Sequence, residues 1–270
     1  MPVRHRHSVL AVLLGTACLA PLVGAEEATP GKLTGYLRPE SLPVAATILP
    51  PPPADGSVGE AVDRSVFFAT RKLKGTPRWE LATRDSVFSA RALVTDFGCA
   101  LGLQLSASNA PVLLRLITRL SYDSSAMVEP TKAHFKHPRP FVGTTQPVCE
   151  ESREELAKTW SYPSGHTTFS WAAGLILTEM VPDRATPLLA RARVYGESRV
   201  VCGAHTVSDV EAGRTNGAML VAMLHTSAEF KADLERARQE LAAVRASSET
   251  RVPDAAGCAI ESDAAAHPPW

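Results

Sequence analysis

Three separated stretches of this sequence gather residues able to handle a tetrahedral anion. In KAHFKHPRPF, Lys132 and Arg139 are separated by six residues and Pro140 follows at once. In SYPSGHTT, Ser164, Gly165 and His166 come directly after Pro163. In SRVVCGAHTVSDVEAGR, Arg199 precedes His205, and Asp209 follows that histidine by four residues. Taken singly, each has an ordinary explanation. Basic residues are mostly solvated charges, a serine ahead of an apolar run is a helix cap, and a His–Asp pair four apart is a modest helix-start contact. Taken together they make a site. Three cations, a hydroxyl and a glycine amide can surround an oxyanion, and arginine meets such oxygens in pairs. Ser164 at a helix start adds exposed N–H groups and the positive end of a dipole. Asp209 can hold one ring nitrogen of His205 and leave the other as a nucleophile of fixed tautomer. His166 can then protonate a departing oxygen. The chemistry these parts can perform is phosphoryl transfer without a metal.

Helices must position these residues. Val62, Val66 and the run Ala69–Leu73 share one face, and Leu81, Phe88, Ala92 and Phe97 suggest another helix. Asn109-Ala110-Pro111 opens a helix through Leu113, Leu116, Ile117 and Leu120, with proline in its first turn. Residues 137–160 read as a long loop with at most a short helix. After SYPSGHTT the pattern predicts a helix ending at Pro182, then helices over about 184–201 and 208–226, the last with Gly213 and Gly217 one turn apart for close packing. A charged amphipathic helix follows, burying Phe230, Leu234, Leu241 and Val244. Alternating strand patterns and internal repeats are absent, so the fold class is all-α, one compact helical domain.

The bulk numbers narrow the partners. The 270 residues carry 28 Lys+Arg against 28 Asp+Glu, a balance that gives no general pull toward nucleic acid or an anionic membrane. Arg4 and Arg6 precede the apolar stretch Val9–Ala20 and the small-residue pattern Val23-Gly24-Ala25, which together read as a secretory signal peptide. That run is shorter than the roughly 20 residues of a spanning helix, and Gly15 argues against lipidation at Cys18. The expected organisation is a signal peptide over 1–25, an irregular arm over 26–58, the helical domain over 59–246 and a loose tail over 247–270. Export leaves Cys99, Cys149, Cys202 and Cys258, an even set for one or two disulfides with three pairings open. Their wide spacing is unlike a zinc site.

The order Lys-x6-Arg-Pro, Pro-Ser-Gly-His and Ser-Arg-x5-His-x3-Asp resembles the type 2 phosphatidic acid phosphatase superfamily. ILPPPPADGS, SYPSGHTT, SRVVCGAH and SDVEAGR look like its bacterial class A non-specific acid phosphatases, from about Ile48 to Phe230. The resemblance implies the all-helical fold shared with vanadium haloperoxidases and a phosphohistidine intermediate, with phosphate monoesters as substrates and phosphotransfer as a side activity. It implies His205 as nucleophile, Asp209 as its partner and His166 as general acid, with Lys132, Arg139, Ser164, Gly165 and Arg199 binding phosphate. It further implies no cofactor or metal, a periplasmic or secreted location and a homo-oligomer. The sequence departs from the class A pattern at Thr206, where an aromatic residue is usual, and at Trp160 and Ser170, where glycines are common. His134 and His137 are left as scaffold or leaving-group contacts. The alternative within the same resemblance is a vanadium-dependent haloperoxidase. A lipid phosphatase threading its site between membrane helices would need long apolar segments that the mature chain lacks.

Overall fold

The structure is a computed structural model, and it describes Met1, Pro2 and residues 33–150, 152–247 and 251–270. Residues 3–25 of the expected signal peptide, Cys18 included, lie outside the described set. Twelve α-helices and no strand occur among the described residues: α1 (Ala45–Ile48), α2 (Val58–Thr70), α3 (Pro77–Arg84), α4 (Ala90–Asp96), α5 (Gly98–Leu101), α6 (Pro111–Phe135), α7 (Arg153–Leu156), α8 (Gly165–Met180), α9 (Ala185–Val201), α10 (Val207–Leu224), α11 (Ala228–Ala246) and α12 (Ala255–Ala266). Among them, no helix is long and apolar enough to cross a membrane.

α8 is the central rod. Thr167, Phe169, Ala172, Ala173, Ile176 and Leu177 are all buried, so little of its circumference is left for solvent. α6 supplies Leu113, Leu116, Ile117 and Leu120 to the same core, α9 supplies Leu188 and Ala192, and α11 supplies Phe230, Leu234 and Leu241. α10 comes closest. A Cβ on Gly213 would stand 2.8 Å from both the Ser164 carbonyl oxygen and Thr167 Cβ, and one on Gly217 would stand 2.7 Å from the Thr168 carbonyl oxygen. Hydrogen in place of a side chain is what lets α10 lie against the first turns of α8.

The helix ends are chemically specified. Ser57, Thr76, Ser89, Ser164, Thr206, Ser227 and Asp254 each accept a hydrogen bond from a first-turn backbone N–H of the helix they open. α6 starts on Pro111 and has no cap of its own. Instead, the Glu240 carboxylate of α11 accepts from Val112 N at 3.0 Å and Leu113 N at 2.9 Å. At the far end, Pro130 stands inside α6, and Lys136 closes the helix in the left-handed region at φ 49°.

Three expectations change. The face over Leu81–Phe97 belongs to α3 and α4, because the chain leaves α3 at Asp85 and Ser89 caps a new start. Within the arm, α1 forms and Tyr36 is fixed: Asp123 accepts from its backbone N–H at 2.8 Å, and its hydroxyl donates to Asp233 at 2.8 Å. The segment expected to be a loose tail contains α12, an alanine-rich run capped by Asp254 and bound to α5 by the Cys99–Cys258 disulfide. Composition alone missed it, although alanine is the strongest helix former. The second disulfide joins Cys149 to Cys202.

Replacing Gly213 or Gly217 with Ala should destabilise the protein by about 1–3 kcal/mol each through overpacking. Urea unfolding reads this directly, and wild-type midpoints would contradict the close approach. Gly213→Ala, pressing on Ser164, should also slow turnover more than Gly217→Ala does.

Candidate active site

The end of α6, the loop after it, the start of α8, the end of α9 and the start of α10 meet around one cavity of about 340 Å³. Lys132, Arg139, Gly165, His166, Arg199 and His205 line it, with Phe88, Ser124, Glu129 and Glu150. Six of the eight residues singled out in the sequence therefore face a common space. The other two, Ser164 and Asp209, are fully buried, one next to Gly165 in the chain and the other bonded to His205. A larger hollow of about 820 Å³ lies by Gln104, Ser106 and Arg251 and gathers no comparable set of groups.

His205 sits two residues before α10, and Asp209 is the third residue of that helix. The Asp209 carboxylate accepts from Thr206 N at 2.9 Å, while the Thr206 hydroxyl accepts from Asp209 N at 3.2 Å, a reciprocal cap. The same carboxylate oxygen stands 3.1 Å from His205 Nδ1. On the other side of the ring, Arg139 Nη1 lies 2.8 Å from Nε2. A guanidinium can only donate. Nε2 is therefore unprotonated and accepts from Arg139 through its lone pair, and Nδ1 carries the proton that Asp209 accepts. Burial, then the Arg139 charge, pushes the His205 imidazole down to about 3, so the ring is neutral across the working range.

Asp209 has further support. Burial opposes its charge, but hydrogen bonds from His137 and His205 outweigh that and hold the carboxyl well below the usual range. His137 Nδ1 is 3.6 Å from Asp209 Oδ1, and Ser161 Oγ lies 3.0 Å from His137 Nδ1 and 3.4 Å from Asp209 Oδ1. The Asp209 bond in turn raises His137. Of the two histidines left open in the sequence, His137 therefore stands behind the Asp–His pair. His134 packs edge-on against Phe135 and does not line the cavity. The separation of 72 positions between His137 and Asp209 carries no spacing signal that could have announced this contact.

The cations are crowded. Arg139 also donates to the Ala204 carbonyl at 3.0 Å and to Thr159 Oγ1 at 2.9 Å. Burial, then Arg199, lowers its guanidinium to about 10. Lys132 is lowered by burial and by Arg139. Arg199 is 1% exposed. Its Nη2 pairs with Glu150, while Nε and Nη1 have no hydrogen-bond partner among the described residues. Buried donors without partners call for an anion. Ser164 caps α8, accepting from Thr167 N at 3.3 Å, and its own N–H donates to the Asp209 carbonyl at 2.9 Å, which ties the two helix starts together. A Cβ on Gly165 would lie 3.9 Å from Lys132 Nζ, an ordinary contact, so closeness to the cation rather than a steric demand marks that position.

His166, in the first turn of α8, lines the cavity. Its Nε2 is 2.9 Å from the Ser86 carbonyl oxygen, which can only accept, so Nε2 bears a proton and Nδ1 is left to exchange one. Phe88 packs edge-on against the ring at 4.9 Å. Ser86 is steadied by its buried neighbour Asp85, which pairs with Arg191 at 2.5 Å and accepts from Ser198 Oγ at 2.6 Å. Burial, then Arg199, pushes His166 well below the ordinary histidine value.

The PAP2 superfamily model matches residues 112–232, a span that holds all eight of these residues. The chain is 44% identical to an acid phosphatase of Zymomonas mobilis over 217 residues, covering 80% of this chain and 81% of that protein. It is 34% identical to a non-specific acid phosphatase of Salmonella typhimurium over 226 residues, with 82% and 89% covered. A non-specific acid phosphatase of Providencia stuartii is 33% identical over 212 residues, with 78% and 86% covered. Likeness of this extent takes in the cavity-forming helices as well as the residues they carry, and the chain belongs to the PAP2 superfamily.

Proposed function

We propose that this protein is an acid phosphatase that hydrolyses phosphate monoesters through a phosphohistidine at His205. The observation that carries the reading is the pinned tautomer of His205, with Asp209 on Nδ1 and a lone pair on Nε2 among buried cations. The relatives named as acid phosphatases support the same reaction class.

In the first step, the Nε2 lone pair attacks phosphorus, the N–P bond forms and the ester P–O bond breaks. The electron pair leaves on the ester oxygen, which takes a proton from His166. Lys132, Arg139 and Arg199 hold the non-bridging oxygens as charge builds on them, together with the Ser164 hydroxyl and the amide at Gly165. Asp209 balances the positive charge that the ring acquires on phosphorylation. In the second step, His166 takes a proton from water, the water oxygen attacks phosphorus and the N–P bond breaks. An alcohol in place of that water gives phosphotransfer. Two disulfides in one chain support export to an oxidising compartment.

Labelled substrate quenched into alkali should leave phosphate on His205, because phosphohistidine survives base better than acid. His205→Ala should abolish both label and turnover, and near-normal turnover in that variant would overturn the assignment.

The second prediction concerns pH. His166 must be protonated to act as acid, and in the free site burial and Arg199 disfavour that form. A bound phosphate dianion offsets those cations and raises the value toward the ordinary histidine range. Activity is then lost as pH rises through the His166 value in the complex, while His205, held at about 3, stays deprotonated on the acid side. The optimum should fall at roughly pH 5–6.5. His166→Ala should slow alkyl or sugar phosphates far more than nitrophenyl phosphate, whose leaving group hardly needs the proton. Equal losses of phosphoenzyme formation on both, in single turnover, would remove His166 as the acid.

A further inference from the structure

We infer that Glu150 is a built-in competitor of phosphate: its carboxylate holds Arg199 when the site is empty and sets how tightly phosphate is retained. The inference rests on the reading of Arg199 as a phosphate ligand and adds a residue that the motif does not contain.

A guanidinium pairs with an oxyanion along two edges, Nε with Nη2 and Nη1 with Nη2. Nη2 belongs to both. Glu150 Oε1 is hydrogen-bonded to that atom, whereas Nε and Nη1 are buried without partners among the described residues. A phosphate that arrives must share or take the one position Glu150 holds, and a dianion beside a carboxylate on a single guanidinium is repelled by it. Both residues line the cavity, so the exchange happens within it.

The contact is held in place covalently. Cys149, the residue before Glu150, is bonded to Cys202, three residues beyond Arg199, and Cys149 N also donates to the Cys202 carbonyl at 3.1 Å. The carboxylate is thus tethered within reach of Arg199 and cannot drift into solvent when displaced. The other carboxylate at the cavity is placed differently. Glu129 lies 3.5 Å from Lys132 Nζ, but its side chain is 68% exposed against 20% for Glu150. An exposed pair of that kind contributes little, so the effect belongs to Glu150.

The sign of the effect separates competition from support. If Glu150 competes, neutralising it tightens phosphate. If it only steadies Arg199, neutralising it loosens phosphate. In Glu150→Gln the inhibition constant of inorganic phosphate against nitrophenyl phosphate hydrolysis should fall about three- to tenfold, and KM should fall with it. Glu150→Asp, which keeps the charge on the same tether, should stay near wild type. An unchanged or raised constant in Glu150→Gln overturns the inference, as does Glu150→Asp tightening to the same extent as Glu150→Gln. Wild-type protein that neither phosphate nor vanadate inhibits would strike at the phosphate site itself. Ordinary inhibition of the wild type without tightening in Glu150→Gln would strike at Glu150 alone.

Discussion

The Asp209 carboxylate, with none of its surface exposed, serves two ends at once. Through Oδ2 it closes the first turn of α10, bonding Thr206 N, and it also receives the Nδ1 proton of His205. Its backbone carbonyl meanwhile takes the N–H of Ser164, where α8 begins. Burying a lone carboxylate costs several kcal/mol, which must be offset by good hydrogen bonds around it. Thr206, His205 and the His137–Ser161 pair provide them. Helix start, the His205 tautomer and the spacing between α8 and α10 therefore rest on one residue, and none can change alone.

Around that anion the protein crowds positive charge, with Glu129 beside Lys132 and Glu150 on Arg199. Lys132, Arg139 and Arg199 converge on one small space, and the fall in Lys132 and Arg139 records both their burial and their mutual repulsion. Such an arrangement needs a rigid frame, and the packing of α10 on α8 through Gly213 and Gly217 supplies one. It also means that whatever anion binds the native state stabilises it by mass action. The cradle is paid for in advance by the fold, so its donors need not reorganise when charge develops on the substrate.

Much of this was legible in the sequence for a physical reason. Lys132, Arg139, His166, Arg199, His205 and Asp209 stand out in the sequence by type and spacing, and the structure brings five of them to one cavity with Asp209 bonded to His205. Ser164 was legible as a cap, and the glycines of α10 as a packing face. What escaped depends on tertiary approach. His137 reaches Asp209 only because the loop after α6 folds back. Glu150 reaches Arg199 only because Cys149 pairs with Cys202, one of three pairings the sequence left open. The break between α3 and α4 turned on Asp85 leaving one helix and Ser89 capping the next, inside an apolar pattern that reads as continuous. In α12, a composition typical of linkers hid a strong helix former behind a good cap.

The Cys99–Cys258 bridge closes a covalent ring of chain that contains the cavity residues from Ser124 to His205, with Ser86 and Phe88 outside it. A single backbone cut anywhere inside that ring opens it without releasing a fragment. The severed pieces remain bonded through the bridge, and the packing of α6, α8, α9 and α10 can still hold the cavity's walls in register. Nicking and dismantling are thus separate events in this architecture, and the second requires a reductant as well as a protease.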